Sequence, residues 1–178
     1  MVKRIVVIGP ESTGKSTLCE QLAAYYQTTW VPEYAREYLT RYGTSYQHSD
    51  LLTIAQGQIA GEDKLAQEAL AADLPLLFVD TDLYVMKVWS EYVFDQCDQW
   101  ILNGIATRKY DLYLLCNIDL PWVKDDLREY PDEAPRRELY NIYRDLMINQ
   151  TVPWVEISGG YNERLQKAIT AVDMLLKK

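Results

Sequence analysis

Two periods of apolar residues run through this chain. Short apolar runs recur at Lys3 to Ile8, Thr28 to Val31, Leu76 to Val79, Leu112 to Cys116 and Trp154 to Ile157. Longer stretches with apolar positions at helical spacing separate them. That alternation predicts an α/β chain with a five-stranded parallel sheet and helices on both faces. The run Leu76-Leu77-Phe78-Val79 has no polar break, as a central strand covered on both sides requires, and it leads into Asp80-Thr81-Asp82. Ser49 to Ala72 lacks proline and predicts one long helix, or two broken near Gly57 or Gly61. Leu83 to Ala106 reads as helical. Pro121, Pro131 and Pro135 bracket a charged stretch from Lys124 to Arg137, ahead of a helix over Glu138 to Asn149 and an amphipathic one over Asn162 to Lys177. No repeat, low-complexity tract or interdomain linker interrupts the pattern, which predicts one domain over residues 1–178.

The first apolar run is followed at once by Gly9-Pro10-Glu11-Ser12-Thr13-Gly14-Lys15-Ser16, a match to the phosphate-binding pattern G-x-x-x-x-G-K-[ST] in the strand-loop-helix setting it needs. Leu18, Leu22 and Tyr25 supply the helix. The loop from Gly9 to Thr17 would turn consecutive N–H groups toward one phosphate cluster, with the helix dipole aimed at the same place. Lys15 would reach the β- and γ-phosphates and Ser16 would ligate Mg²⁺, which makes ATP the expected cofactor and a three-layer P-loop NTPase fold the expected architecture.

Composition narrows the partners. With 178 residues and 48% hydrophobic content, the chain can bury a core around one sheet. A formal net charge of −8 argues against a nucleic-acid partner, which calls for a basic patch. No segment approaches the roughly 20 apolar residues of a membrane span and no signal-peptide pattern opens the chain, so a cytoplasmic protein is expected. Cys19, Cys97 and Cys116 are far apart, without a CxxC pair and with one histidine, His48, in the chain. Buried, reduced thiols are expected there, not a disulfide framework or a zinc site. His48 is expected to pack.

A phosphate-binding loop needs an acid at a neighbouring strand end to hold the Mg²⁺ shell, and Asp80 occupies that position, with the role of base open to it as well. For Asp82 two roles stand side by side: taking the proton of an attacking hydroxyl, or capping the helix that begins at Leu83. After the second strand, Glu33 would bind a ribose hydroxyl or act as base, and Arg36 would orient it or contact phosphate. The competing reading makes Glu33, Arg36, Glu37 and Arg41 a set of surface ion pairs at helical spacing. Residues 121–137 read as a lid, with Arg128 and Arg136 or Arg137 closing over the transferred group, or as a solvated charged helix. Fourteen tyrosines and five tryptophans suit a pocket that stacks on a ring and also hydrogen-bonds, and Tyr34, Tyr84 and Trp89 lie nearest the strand ends.

Taken in order, the loop, Trp30 to Tyr38, Phe78-Val79-Asp80-Thr81-Asp82, and Trp122-Val123 with Asp126 and Arg128 resemble the ribosylnicotinamide kinase domain of the NadR-type NAD-biosynthesis proteins. The resemblance covers nearly the whole length. It implies transfer of the ATP γ-phosphate to the 5′-hydroxyl of nicotinamide riboside, on a core similar to nucleoside and nucleotide kinases. Full-length members also carry an adenylyltransferase domain and a helix-turn-helix reader before this region; the present sequence begins at the first strand, so NAD synthesis beyond the mononucleotide and transcriptional repression are not carried over. A kinase for another nucleoside or nucleotide, or a regulatory ATP-binding module, are the competing readings. A GTPase is disfavoured because Asn117-Ile118-Asp119 lacks the N-K-x-D pattern.

Overall fold

The computed structural model describes residues 2–177. Strands β1 (Lys3–Ile8), β2 (Thr29–Val31), β3 (Leu76–Asp80), β4 (Leu112–Cys116) and β5 (Trp154–Ile157) form one parallel sheet in the order β2-β3-β1-β4-β5. Helices α1 (Lys15–Tyr25), α2 (Tyr34–Tyr42), α3 (His48–Ala71), α4 (Leu83–Phe94), α5 (Gln99–Thr107), α6 (Glu133–Asn149) and α7 (Tyr161–Leu176) connect and flank the strands.

Alternate residues of each strand feed opposite faces, as a pleated backbone dictates. Ile5, Val7, Leu76, Phe78, Leu112 and Leu114 pack beneath α1 and α7 against Leu18, Leu22, Ile169 and Val172. Val6, Ile8, Leu77, Val79, Tyr113 and Leu115 face the other way, toward α3, α4 and α6. A third apolar cluster joins α2, α3, α4 and α5 through Leu51, Ile54, Leu83, Met86 and Ile101. The sheet is therefore dry on both sides, which explains why its central strands read as unbroken apolar runs.

Two departures from the sequence expectation have local causes, and one open alternative is resolved. The stretch from Leu83 to Ala106 is two helices, because Asp95 takes a left-handed backbone (φ 54°) and Asp98 starts α5 by accepting the Trp100 N–H at 2.7 Å. Helix α6 begins at Glu133, earlier than expected. Pro135 fits inside its first turn, where the missing N–H has no intrahelical partner to lose. Helix α3 runs unbroken through Gly57 and Gly61.

Of the three cysteines, Cys19 and Cys116 are buried and Cys97 is half-buried, all as free thiols. Among the described residues no helix is long and apolar enough to cross a membrane.

Candidate active site

The carboxyl ends of β1 and β2 open onto one cavity. Its lining runs from the phosphate-binding loop, Gly9 to Thr17, through Glu33, Ala35, Arg36 and Leu39 to Val85, Trp89 and Tyr92 of α4. Leu127 to Tyr130 and the α6 residues Leu139 and Tyr143 complete it.

The loop owes its shape to backbone constraints. Gly9 (φ 141°) lies so close to β4 that a Cβ there would come within 2.7 Å of the Cys116 carbonyl oxygen. Ser12 also has a positive φ, 57°, and Gly14 caps α1. Thr13 Oγ1 donates to the Pro10 carbonyl at 2.8 Å, and Lys15 Nζ reaches the same carbonyl at 2.9 Å. From below, the buried Arg164 of α7 donates to the Thr13 carbonyl at 2.9 Å, to the Gly159 carbonyl at 2.7 Å and to the Asn117 carbonyl at 2.8 Å. One guanidinium thus ties the loop to the ends of β4 and β5, a role the sequence did not advertise.

Asp80 and Asp82, two residues apart, have different surroundings. Asp80 is fully buried, accepts the Ser16 hydroxyl at 2.5 Å through Oδ2, and leaves Oδ1 without a partner among the described residues. Burial, then the neighbouring Glu33 carboxylate, push its pKa up to about 7, against the pull of Lys15 and the Ser16 hydroxyl. Asp82 is buried with both oxygens engaged: Oδ1 caps α4 by accepting the Tyr84 N–H at 2.9 Å, and Oδ2 accepts the Tyr113 hydroxyl at 2.7 Å. Burial pushes it up to about 7 as well, offset in part by those bonds. Asp82, like Asp80, lies outside the cavity lining, and its carboxylate serves as the N-cap of α4. Between them, Thr81 holds a left-handed backbone (φ 68°), a conformation that costs a β-branched residue roughly 1–3 kcal/mol.

The segment between β4 and α6 arches over the loop as a strap. The Glu11 carboxylate accepts three of its N–H groups: Trp122 Nε1 at 3.2 Å, the Glu129 amide at 2.9 Å and the Tyr130 amide at 2.7 Å. Ser12 Oγ accepts the Val123 amide at 2.9 Å. Arg36 crosses to Asp125 at 3.0 Å instead of pairing with Glu33 or Glu37, and helps hold the Asp125 carboxyl below its usual range, after the Leu127 N–H. Arg128 lines the cavity while donating to the Val123 carbonyl. Arg136 and Arg137 do not line it: Arg136 is buried with Nε and Nη1 unpartnered among the described residues, and Arg137 pairs with Glu133 on the surface.

The aromatic expectation is partly redrawn. Trp89 lines the cavity and donates to the Tyr46 hydroxyl at 2.9 Å, which in turn donates to Glu129 at 3.0 Å. Tyr34 and Tyr84 lie outside the lining. The first rests against α3 at Gly57, and the second packs edge-on to Tyr113 at 5.9 Å. Their places are taken by Tyr92, Tyr130 and Tyr143. Val85, Trp89 and Tyr92 are spaced four and three apart, as are Leu139 and Tyr143 at four, so helical periodicity counted toward the cavity would have found them. His48 packs edge-on to Phe94, and Arg41 stacks over Tyr42 at 5.3 Å.

A family model described as AAA domain matches residues 4–164. The trifunctional NAD biosynthesis/regulator protein NadR of Escherichia coli K12 is 26% identical over 176 residues, 96% of this chain, and its Salmonella typhimurium counterpart is 25% identical over 98%. The chain spans only 42% and 43% of those two proteins. A crystal structure of NadR in complex with NR superposes with a TM-score of 0.82 at 25% identity, over 98% of this chain and 49% of that one. Thymidylate kinase from Ehrlichia chaffeensis, at 14% identity and a TM-score of 0.66 over 96% of this chain and 98% of that one, shares the fold. Both are similar in the five-stranded parallel sheet with flanking helices of a P-loop kinase fold.

Proposed function

The chain belongs to this AAA domain family, and from that premise we propose that it is an ATP-dependent phosphotransferase acting on the 5′-hydroxyl of nicotinamide riboside, giving nicotinamide mononucleotide. The observation that carries the reading is one cavity whose lining joins a phosphate-binding loop to a carboxylate and a cluster of Trp89, Tyr92, Tyr130 and Tyr143. A phosphate donor and an acceptor with a planar ring would share that space. Aromatic faces beside acidic residues suit a cationic ring, and the similarity to NadR solved with NR supports the same choice.

In this mechanism the loop amides and Lys15 hold the β- and γ-phosphates. Ser16 and Asp80 offer hard oxygen donors, and the unpartnered Asp80 Oδ1 fits a Mg²⁺ site. When bound, the ion supplies charge neutralisation on the phosphates. Glu33, in the cavity lining, takes the proton of the attacking hydroxyl, while Asp82 keeps α4 and its Trp89 and Tyr92 in place. Arg36 and Arg128 line the cavity from α2 and the strap, and on turning from Asp125 and the Val123 carbonyl they would offset the negative charge of the transferred group.

Acceptor-dependent ADP release, measured with ATP and Mg²⁺ across nicotinamide riboside, common nucleosides and their monophosphates, tests the proposal. Release with nicotinamide riboside and a product of nicotinamide mononucleotide mass is expected. Release with a different acceptor alone would replace the substrate. ATP binding without any acceptor response would turn the protein into a regulatory ATP-binding module.

A further inference from the structure

Beyond the cavity lining, one buried side chain touches both carboxylate-bearing segments. Gln58 of α3 is 2% exposed. Its Oε1 accepts the Tyr34 N–H at 2.7 Å, and its Nε2 donates to the Asp80 carbonyl at 3.2 Å and the Thr81 carbonyl at 3.1 Å. Only one orientation of the amide satisfies all three bonds, and it uses both protons of the NH₂ group.

The sheet cannot do this work. Pairing of β2 with β3 ends at Val31 and Val79, and Pro32 has no N–H with which to extend it. Glu33 and Asp80 therefore lie past the last rung between β2 and β3, although Asp80 still pairs with Val7 of β1 on its other side. The Tyr34 N–H opens α2 and has no partner within that helix, while Thr81 holds a strained left-handed backbone. The residue before Gln58 adds to the grip. A Cβ at Gly57 would lie 2.1 Å from the Tyr34 ring, so the absence of a side chain there lets that ring rest on α3.

We infer that Gln58 is a positioning residue for phosphoryl transfer: it replaces the missing ladder and fixes the spacing of the Glu33 and Asp80 carboxylates. The inference rests on the reading in which those two groups serve proton transfer and Mg²⁺ binding. It separates Gln58 from an ordinary core residue, since its loss should displace the acceptor-side base while leaving the phosphate-binding loop intact.

The test uses Gln58→Met, which keeps the volume and removes all three bonds, and Gln58→Glu, which keeps an acceptor for the Tyr34 N–H. Ala69→Gly, in the same helix but away from the clamp, serves as a destabilised control. For Gln58→Met, kcat should fall about 100-fold, the loss expected when a reacting group shifts by about an ångström, with ATP affinity within about threefold of wild type. Amide hydrogen exchange at Tyr34 should accelerate in Gln58→Met and stay slow in Gln58→Glu, which recovers part of kcat. Ala69→Gly should lower the melting temperature and keep kcat.

A folded Gln58→Met protein with kcat near wild type would overturn the inference. So would a parallel loss of kcat and ATP affinity in both Gln58 variants, which marks general damage. If Gln58→Met does not fold, Gln58→Glu decides alone: full activity with both carbonyl contacts weakened overturns the proposal. Wild-type protein inactive on every acceptor would overturn the phosphotransfer reading and this inference with it, an outcome distinct from the others.

Discussion

The two ends of the cavity are built differently. At the phosphate end, eight consecutive residues form the binding loop, and backbone geometry, the Thr13 hydroxyl and Arg164 hold it. At the other end, Glu33, Trp89, Tyr92, Tyr130 and Tyr143 arrive from a strand end, two helices and the strap, and each is placed by tertiary packing. The first is a local device for holding phosphate. The second is an assembly in which side chains can change one at a time, so under the proposed function chemistry and acceptor choice would be separable.

The largest effect should come from the phosphate end. Lys15→Ala is expected to lower kcat by at least about 1,000-fold for every acceptor, with circular dichroism and melting temperature unchanged. Retained turnover would remove the distinction between the ends.

Next come the two aspartates. Asp80→Asn should cost about 100-fold in kcat and raise the Mg²⁺ concentration needed for half-maximal rate. Asp82→Asn keeps a cap for α4 and a partner for Tyr113, so its kcat should stay within about threefold. A severe loss in Asp82→Asn would return the proton-transfer role to that residue.

A smaller effect is expected at the acceptor end, where Trp89→Ala should raise the acceptor KM about 10-fold and leave the ATP KM unchanged, as lost aromatic contact area requires. Equal changes in both constants would show that the two ends are not separable.

Smallest is a pH effect on the protein without nucleotide. Asp80 and Asp82 are both raised to about 7, so between the ordinary carboxylate range and pH 7 the folded state binds more protons than the unfolded chain. Stability should therefore fall as pH rises through that window. Thermal melts at pH 5, 6, 7 and 8 measure the slope, and Asp82→Asn should flatten part of it.

Legibility in the sequence followed the same division. Strands β1, β4 and β5 could be bounded from apolar runs alone, and the phosphate-binding loop from its spacing, because both are encoded by neighbours in the chain. The break between α4 and α5 was hidden, since Asp95 and Asp98 look like surface aspartates until their backbone angles are known. Tyr34 and Tyr84 lie at strand ends yet point into packing contacts, whereas Tyr130 and Tyr143 are distant in sequence and reach the cavity through the strap and α6. Gln58 carried no signal at all, because a glutamine inside a helix announces nothing until three backbone partners surround it.

Two of the three N–H groups that Glu11 grips belong to the main chain of residues 129 and 130. Every amino acid except proline offers the same donor, so this hold on the strap is indifferent to what those positions carry. A lineage could exchange Tyr130 for a residue suited to another ring without loosening the strap, and the anchoring of the roof would survive each trial of a new acceptor.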